Sequence, residues 1–122
     1  MYICENLRPI KFMEAKAILK YVRTSPRKTR LVADMVRGKK VNDALNILTF
    51  TNKKPARVIK KLLKSAMANA EEKKAEDVDS LMVSQLTVDG GPVWKRQLPR
   101  GRGRVTPIKK RTSNITIVLK EV

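Results

Sequence analysis

The chain has no histidine and a single cysteine, Cys4, among its 122 residues. The first absence removes Ser/His and Cys/His nucleophile pairs and imidazole metal ligands. The second removes any intramolecular disulfide and any zinc site built on cysteines, which suits a reducing compartment. Aromatic residues make up 4% of the sequence, with one Trp, so a core must come from aliphatic side chains. Acid is scarce too, with 11 Asp and Glu against 28 Lys and Arg. Carboxylates that could pair for acid–base work, such as Glu71 with Glu76, lie in a polar run without an apolar pocket. No stretch approaches the roughly eighteen apolar residues of a membrane span, and residues 1–12 lack the apolar centre of an export signal. A soluble, intracellular protein is expected, and Asn114-Ile115-Thr116, although it has the acceptor pattern, is expected to carry no glycan. Gly101 and Gly103 alternate with arginines and lack the Gly-Lys-Ser/Thr ending of a phosphate loop. An enzyme is therefore not expected, nor a cofactor, nor a metal.

What is present is positive charge. A net charge of +17 and a pI near 10.5 make self-repulsion severe unless phosphates neutralise it, which favours a polyanionic partner. Residues 90–112 carry eight Lys or Arg and no acid. They lie between two strand-like runs, and a connection of about twenty residues is far longer than an ordinary turn. Such an arm is expected to need structured nucleic acid to order it.

Residues 16–40 hold nine basic residues and one acid. A solvated face explains single lysines but not this density. Arg23, Arg27, Lys28, Arg30, Arg37, Lys39 and Lys40 fall near a helix start and a Gly turn, where backbone N–H groups and guanidinium forks meet phosphates together. Residues 53–64 add six more bases on what reads as one helical face. Trp94 precedes Lys95 and Arg96 and either stacks on a base or packs at the root of the arm.

The pattern predicts three helices and about three strands. Residues 14–23 alternate Ala15, Ala17, Leu19 and Tyr21 against Lys16, Ile18, Lys20 and Val22, which favours a strand, with a helix as the rival. Ser25 is expected to cap a helix with Pro26 at its first position, closing at Gly38 and placing Leu31, Val32, Met35 and Val36 on one side. A short helix capped by Asn42 should bury Ala44, Leu45, Ile47 and Leu48 before Thr51 and Asn52. From Pro55, Val58, Ile59, Leu62, Leu63, Ala66, Met67 and Ala70 mark the longest amphipathic helix, with Arg57, Lys60, Lys61 and Lys64 opposite. Glu71, Glu72, Glu76, Asp77 and Asp79 should face solvent at its end. Residues 80–88 and 114–122 read as the strands that bracket the arm. No internal repeat is found.

The runs SPRKTRLVADMVRGKKVNDALNIL, KSAMANAE, VDGGPVWKRQLPRGRGR and KKRTSNITIVL closely resemble the family of bacterial large-subunit ribosomal protein twenty-two. The likeness runs from Met13 to nearly the end. It implies an α+β fold: three helices packed on a small antiparallel sheet of about three strands, with a long basic β-hairpin extension over about residues 89–108. Residues 13–122 would form a single domain. Residues 1–12 would be a leader, either a genuine extension or the product of an upstream start codon. By resemblance the partners are large-subunit rRNA, neighbouring ribosomal proteins and the nascent peptide in the exit tunnel, with no membrane and no homo-oligomer. The place is the ribosome of a bacterial cytoplasm, or of an organelle that encodes its own copy. The rRNA-binding residues would be Arg23, Arg27, Lys28, Arg30, Arg37, Lys39, Lys40, Lys95, Arg96, Arg100, Arg102, Arg104, Lys109, Lys110 and Arg111. The tunnel hairpin would place Trp94, Lys95, Arg96, Arg100, Gly101, Arg102, Gly103 and Arg104 near the tunnel constriction, where macrolide resistance and stalling are affected in that family. A free-standing RNA-binding or RNA-chaperone module is the alternative.

Overall fold

A computed structural model describes residues 14–73 and 80–121. Residues 1–13, with Cys4 among them, and Glu76, Asp77 and Asp79 lie outside the described residues. The elements run β1 (Glu14–Val22), α1 (Pro26–Val36), α2 (Val41–Phe50), α3 (Lys54–Glu72), β2 (Leu81–Pro99) and β3 (Val105–Glu121). The sheet is antiparallel in the order β1-β3-β2, so the C-terminal strand is central. The fold is α+β, as the sequence leads one to expect.

The N-terminal segment is a strand. Ala15 and Ala17 are buried while Lys16 and Lys20 point outward, a period of two that a helix cannot give. Ala15 pairs with Leu119 and Ala17 with Ile117, and these small side chains leave room for α3, which packs on β1. The stripe of α3 is Ile59, Leu62, Leu63, Ala66 and Ala70, all buried. Against it stand Leu81, Val83, Leu86 and Val88 of β2 and Ile115, Ile117 and Leu119 of β3. The spacing on β2 is two, three, two. A bulge between Val83 and Gln85 absorbs the extra residue, and without it Leu86 and Val88 would face water.

Several expectations need correction. In α1 the buried stripe is Thr29, Val32, Ala33 and Val36, whereas Leu31 and Met35 are 61% and 45% exposed. The helix is turned so that Arg30 and Arg37 reach the free edge of β2. Ser25 stands at the N-cap but its side chain makes no capping bond; its carbonyl instead accepts from Thr29 N–H and Thr29 Oγ1, at 3.1 and 2.9 Å. Gly38 has the expected left-handed backbone, φ 79°. In α2 the cap is Lys40 rather than Asn42, and Leu45 and Ile47 are only partly buried.

The bracketing strands outrun the bounds 80–88 and 114–122 read from their periodicity and form the long hairpin that the resemblance implies. They continue through the basic arm as one ribbon, paired from Val93↔Arg111 to Pro99↔Val105. At about 3.4 Å per residue the ribbon extends some 20 Å beyond the body. An irregularity between Gly90 and Val93 marks where it leaves. There Thr112 Oγ1 donates to the Pro92 carbonyl at 2.7 Å, and a Cβ on Gly91 would lie 2.5 Å from that hydroxyl. The tip is a tight turn, Gly101–Gly103, closed by Arg100 N–H to the Arg104 carbonyl at 2.7 Å. Arg102 and Gly103 both have positive φ, 61° and 71°.

Candidate nucleic-acid interface

Positive charge converges at the root of the hairpin. One open groove is lined by Arg23, Thr24, Ser25, Lys28, Lys109, Lys110 and Arg111. A second shares Ser25, Lys28 and Arg111 with it and adds Pro26, Arg27, Arg30 and Gly90. The N-terminus of α1 opens here, so its free N–H groups and six Lys or Arg side chains other than Arg30 face a common space. No carboxylate lines either groove. A phosphate backbone is the chemistry this arrangement suits.

Hydroxyls hold the root together. Ser113 Oγ donates to the Thr24 carbonyl at 2.6 Å, and Thr24 Oγ1 and Thr29 Oγ1 share a hydrogen bond of 3.0 Å. Thr29 and Ser113 are fully buried, so these bonds act where an unpaired hydroxyl would be costly. They fix the β1–α1 turn, with Arg23 and Lys28, against the β3 segment that carries Lys109, Lys110 and Arg111. Sequence reasoning passed over this network. Its only signal was a polar pair, Thr112-Ser113, placed where β3 turns from an exposed arm into a buried strand.

The predicted site residues divide into groups. Arg23, Arg27, Lys28, Lys109, Lys110 and Arg111 meet at the root grooves. Lys95 and Arg96 lie along the ribbon, with Lys95 directly opposite Lys109. Gly101, Gly103, Arg100, Arg102 and Arg104 form the tip, and all are exposed. Lys39 and Lys40 sit at the far end of α1, which is eleven residues long, or about 16 Å at 1.5 Å per residue. The structure does not bring them to the root.

Arg30 and Arg37 are committed to the protein itself. Arg30 Nε and Nη2 donate to the Val88 carbonyl at 3.1 and 3.0 Å. Arg37 Nε and Nη2 donate to the Leu86 carbonyl at 3.2 and 2.7 Å, while its Nη1 pairs with Asp34 at 2.6 Å. Gly38 N–H donates to the Val83 carbonyl, and Val83 N–H to the Lys39 carbonyl, both at 3.0 Å. An edge strand presents unpaired carbonyls, and β2 has these covered by α1 and its C-terminal turn. Trp94 is placed on the strand rather than at the tip. The Arg23 guanidinium lies 4.8 Å from its ring centre, and the ring stays 46% exposed. Of the two alternatives for Trp94, packing at the root has a partner within the chain.

Among the described residues no cluster of three metal-ligating side chains occurs, and no helix is long and apolar enough to cross a membrane. The family model described as Ribosomal protein L22p/L17e matches residues 17–120. The chain belongs to that family. It is a family of structural ribosomal proteins, not of enzymes. Similar proteins include the "Large ribosomal subunit protein uL22" of Syntrophotalea carbinolica, 61% identical over 109 residues, which span 89% of this chain and 99% of that one. The protein of the same name in Maridesulfovibrio salexigens is 58% identical over 110 residues, covering 90% and 100%. That of Geobacter sulfurreducens is 59% identical over 107 residues, covering 88% and 96%.

Proposed function

We propose that this chain is a protein of the large ribosomal subunit in the bacterial cytoplasm, which grips large-subunit rRNA in the grooves at the hairpin root. Its hairpin runs along rRNA to line the peptide exit tunnel, near the nascent chain, and neighbouring ribosomal proteins flank its body. The near full-length likeness to bacterial proteins named for the large subunit supports the place. One observation supports the contact above all others: a paired ribbon carrying eight basic residues and no acid over residues 90–112, with Lys95 facing Lys109 across it. Like charges directly opposite are destabilising, and a two-stranded ribbon with both faces in water is marginal by itself. Phosphates relieve both problems.

The test separates attachment from tunnel function. Deleting residues 100–104 is expected to leave the protein in the particle after high-salt washing, because the root grooves remain, while altering macrolide response or nascent-chain stalling. Loss from the particle on this deletion would contradict the division between root and tip. Release of the intact protein by salt would favour a free-standing RNA-binding module.

A further inference from the structure

We propose that the C-terminal end of α2 is a second RNA site, at which Phe50 stacks on an unpaired nucleobase. The proposal rests on the reading of the chain as an RNA binder and adds a site to it. Phe50 is 86% exposed, the most exposed of the large apolar side chains among the described residues. A single exposed Phe is unremarkable on a protein surface. Its support and its surroundings are not. The hydroxyls of Thr49 and Thr51 donate to the carbonyls of Leu45 and Ile47 at 2.7 and 2.6 Å, and Thr51 N–H donates to Ile47 as well, at 3.0 Å. With Leu48 buried beside it, the ring is carried outward on a closed helix end rather than on a loose loop.

The groove around the ring is lined by Thr49, Thr51, Asn52, Arg57 and Lys60 and by no carboxylate. It shares no residue with the root grooves. Arg57, Lys60 and Lys64 follow one another at intervals of three and four, which places them on one side of α3. None makes an ion pair among the described residues. A flat aromatic face beside free cations provides the two components of single-strand recognition: stacking that tolerates any base and charge that follows the backbone. An apolar pocket on another protein would leave these cations unanswered, so charge favours RNA over a protein partner.

The test uses the full chain and protein-free large-subunit rRNA. Phe50→Ala is expected to weaken binding about 5- to 150-fold, the range of one lost stacked base, with the salt dependence unchanged. Phe50→Trp should retain affinity. Arg57→Gln with Lys60→Gln should instead lower the slope of log K against log salt by about 0.7–0.9 per contact. Wild-type affinity in Phe50→Ala, alongside weakened binding by a Lys109→Gln, Lys110→Gln, Arg111→Gln variant, would overturn the stacking site and leave the wider RNA-binding reading intact. Failure of the wild-type chain to bind the rRNA would overturn both. In assembled subunits, p-azidophenylalanine at position 50 should photocrosslink to rRNA; crosslinking only to a neighbouring protein would overturn the proposal.

Discussion

Two arginines of the body, Arg30 and Arg37, and those of the hairpin have the same side chain and opposite surroundings. Arg30 and Arg37 each close a fork on a backbone carbonyl of β2, so their charge stabilises the chain's own edge strand. Arg100, Arg102 and Arg104 stand exposed on a turn whose neighbours are also cationic. Local density of charge does not tell the two apart. The difference lies in whether an unpaired acceptor of the same chain lies within reach, and that is decided by packing.

This division can be broken most forcefully at the root. Replacing Lys28, Lys109, Lys110 and Arg111 together by Gln should lower the salt slope of rRNA binding by about 2.8–3.6, at 0.7–0.9 for each lost phosphate contact. Thermal stability should stay the same or rise as repulsion falls. A titration across salt concentrations checks the first part, and a melting curve the second. Arg37→Ala should do the reverse. It removes a forked, charge-assisted bond at a part-buried carbonyl, and with a discount for exposure the cost is about 1–2 kcal/mol in chemical denaturation. Its effect on the salt slope should be small. If Arg37→Ala lowers the slope by a full contact instead, the body's arginines and the hairpin's are not different in kind.

Much of the body was legible because its buried residues keep a period. The α3 stripe and the Ala15-Ala17 alternation are local patterns, and each follows from one element having one wet face. The bulge at Ser84 was not legible, since nothing in SLMVSQLTV marks which residue is left over. The ribbon was hidden from periodicity for a related reason, and only the family resemblance pointed to it: both its faces are in water, so residues 93–99 and 105–111 carry no alternation to read. The forks of Arg30 and Arg37 reach carbonyls 58 and 49 residues away, a separation at which sequence gives charge but not partner. Three of the basic positions grouped in residues 16–40 lie away from the root, Arg37, Lys39 and Lys40 at the far end of α1, while Arg30 lines the root with its guanidinium forked on the edge of β2.

Smaller effects sharpen the boundary between body and hairpin. Gly91→Ala should force Thr112 Oγ1 away from the Pro92 carbonyl, at a cost of about 1 kcal/mol for the lost bond. Chemical denaturation would show it, and Thr112→Ala, which removes the clashing atom, should largely remove the difference between Gly and Ala. The Arg23–Trp94 contact should contribute about 0.5–1 kcal/mol, as for an exposed cation–π pair. A double-mutant cycle with Arg23→Gln and Trp94→Leu measures that coupling, and the fluorescence of the single Trp reports the loss of Arg23 directly.

Amide hydrogen exchange on the free protein and on the assembled large subunit tests most directly whether RNA completes the hairpin. Strand amides of the body, at Val83, Leu86, Ile115 and Ile117, should be protected in both states. Amides of residues 93–99 and 105–111 should exchange rapidly in the free protein and become strongly protected in the subunit. Strong and equal protection of the ribbon in both states would mean that the hairpin supports itself against its own charge, and that RNA is not what orders it.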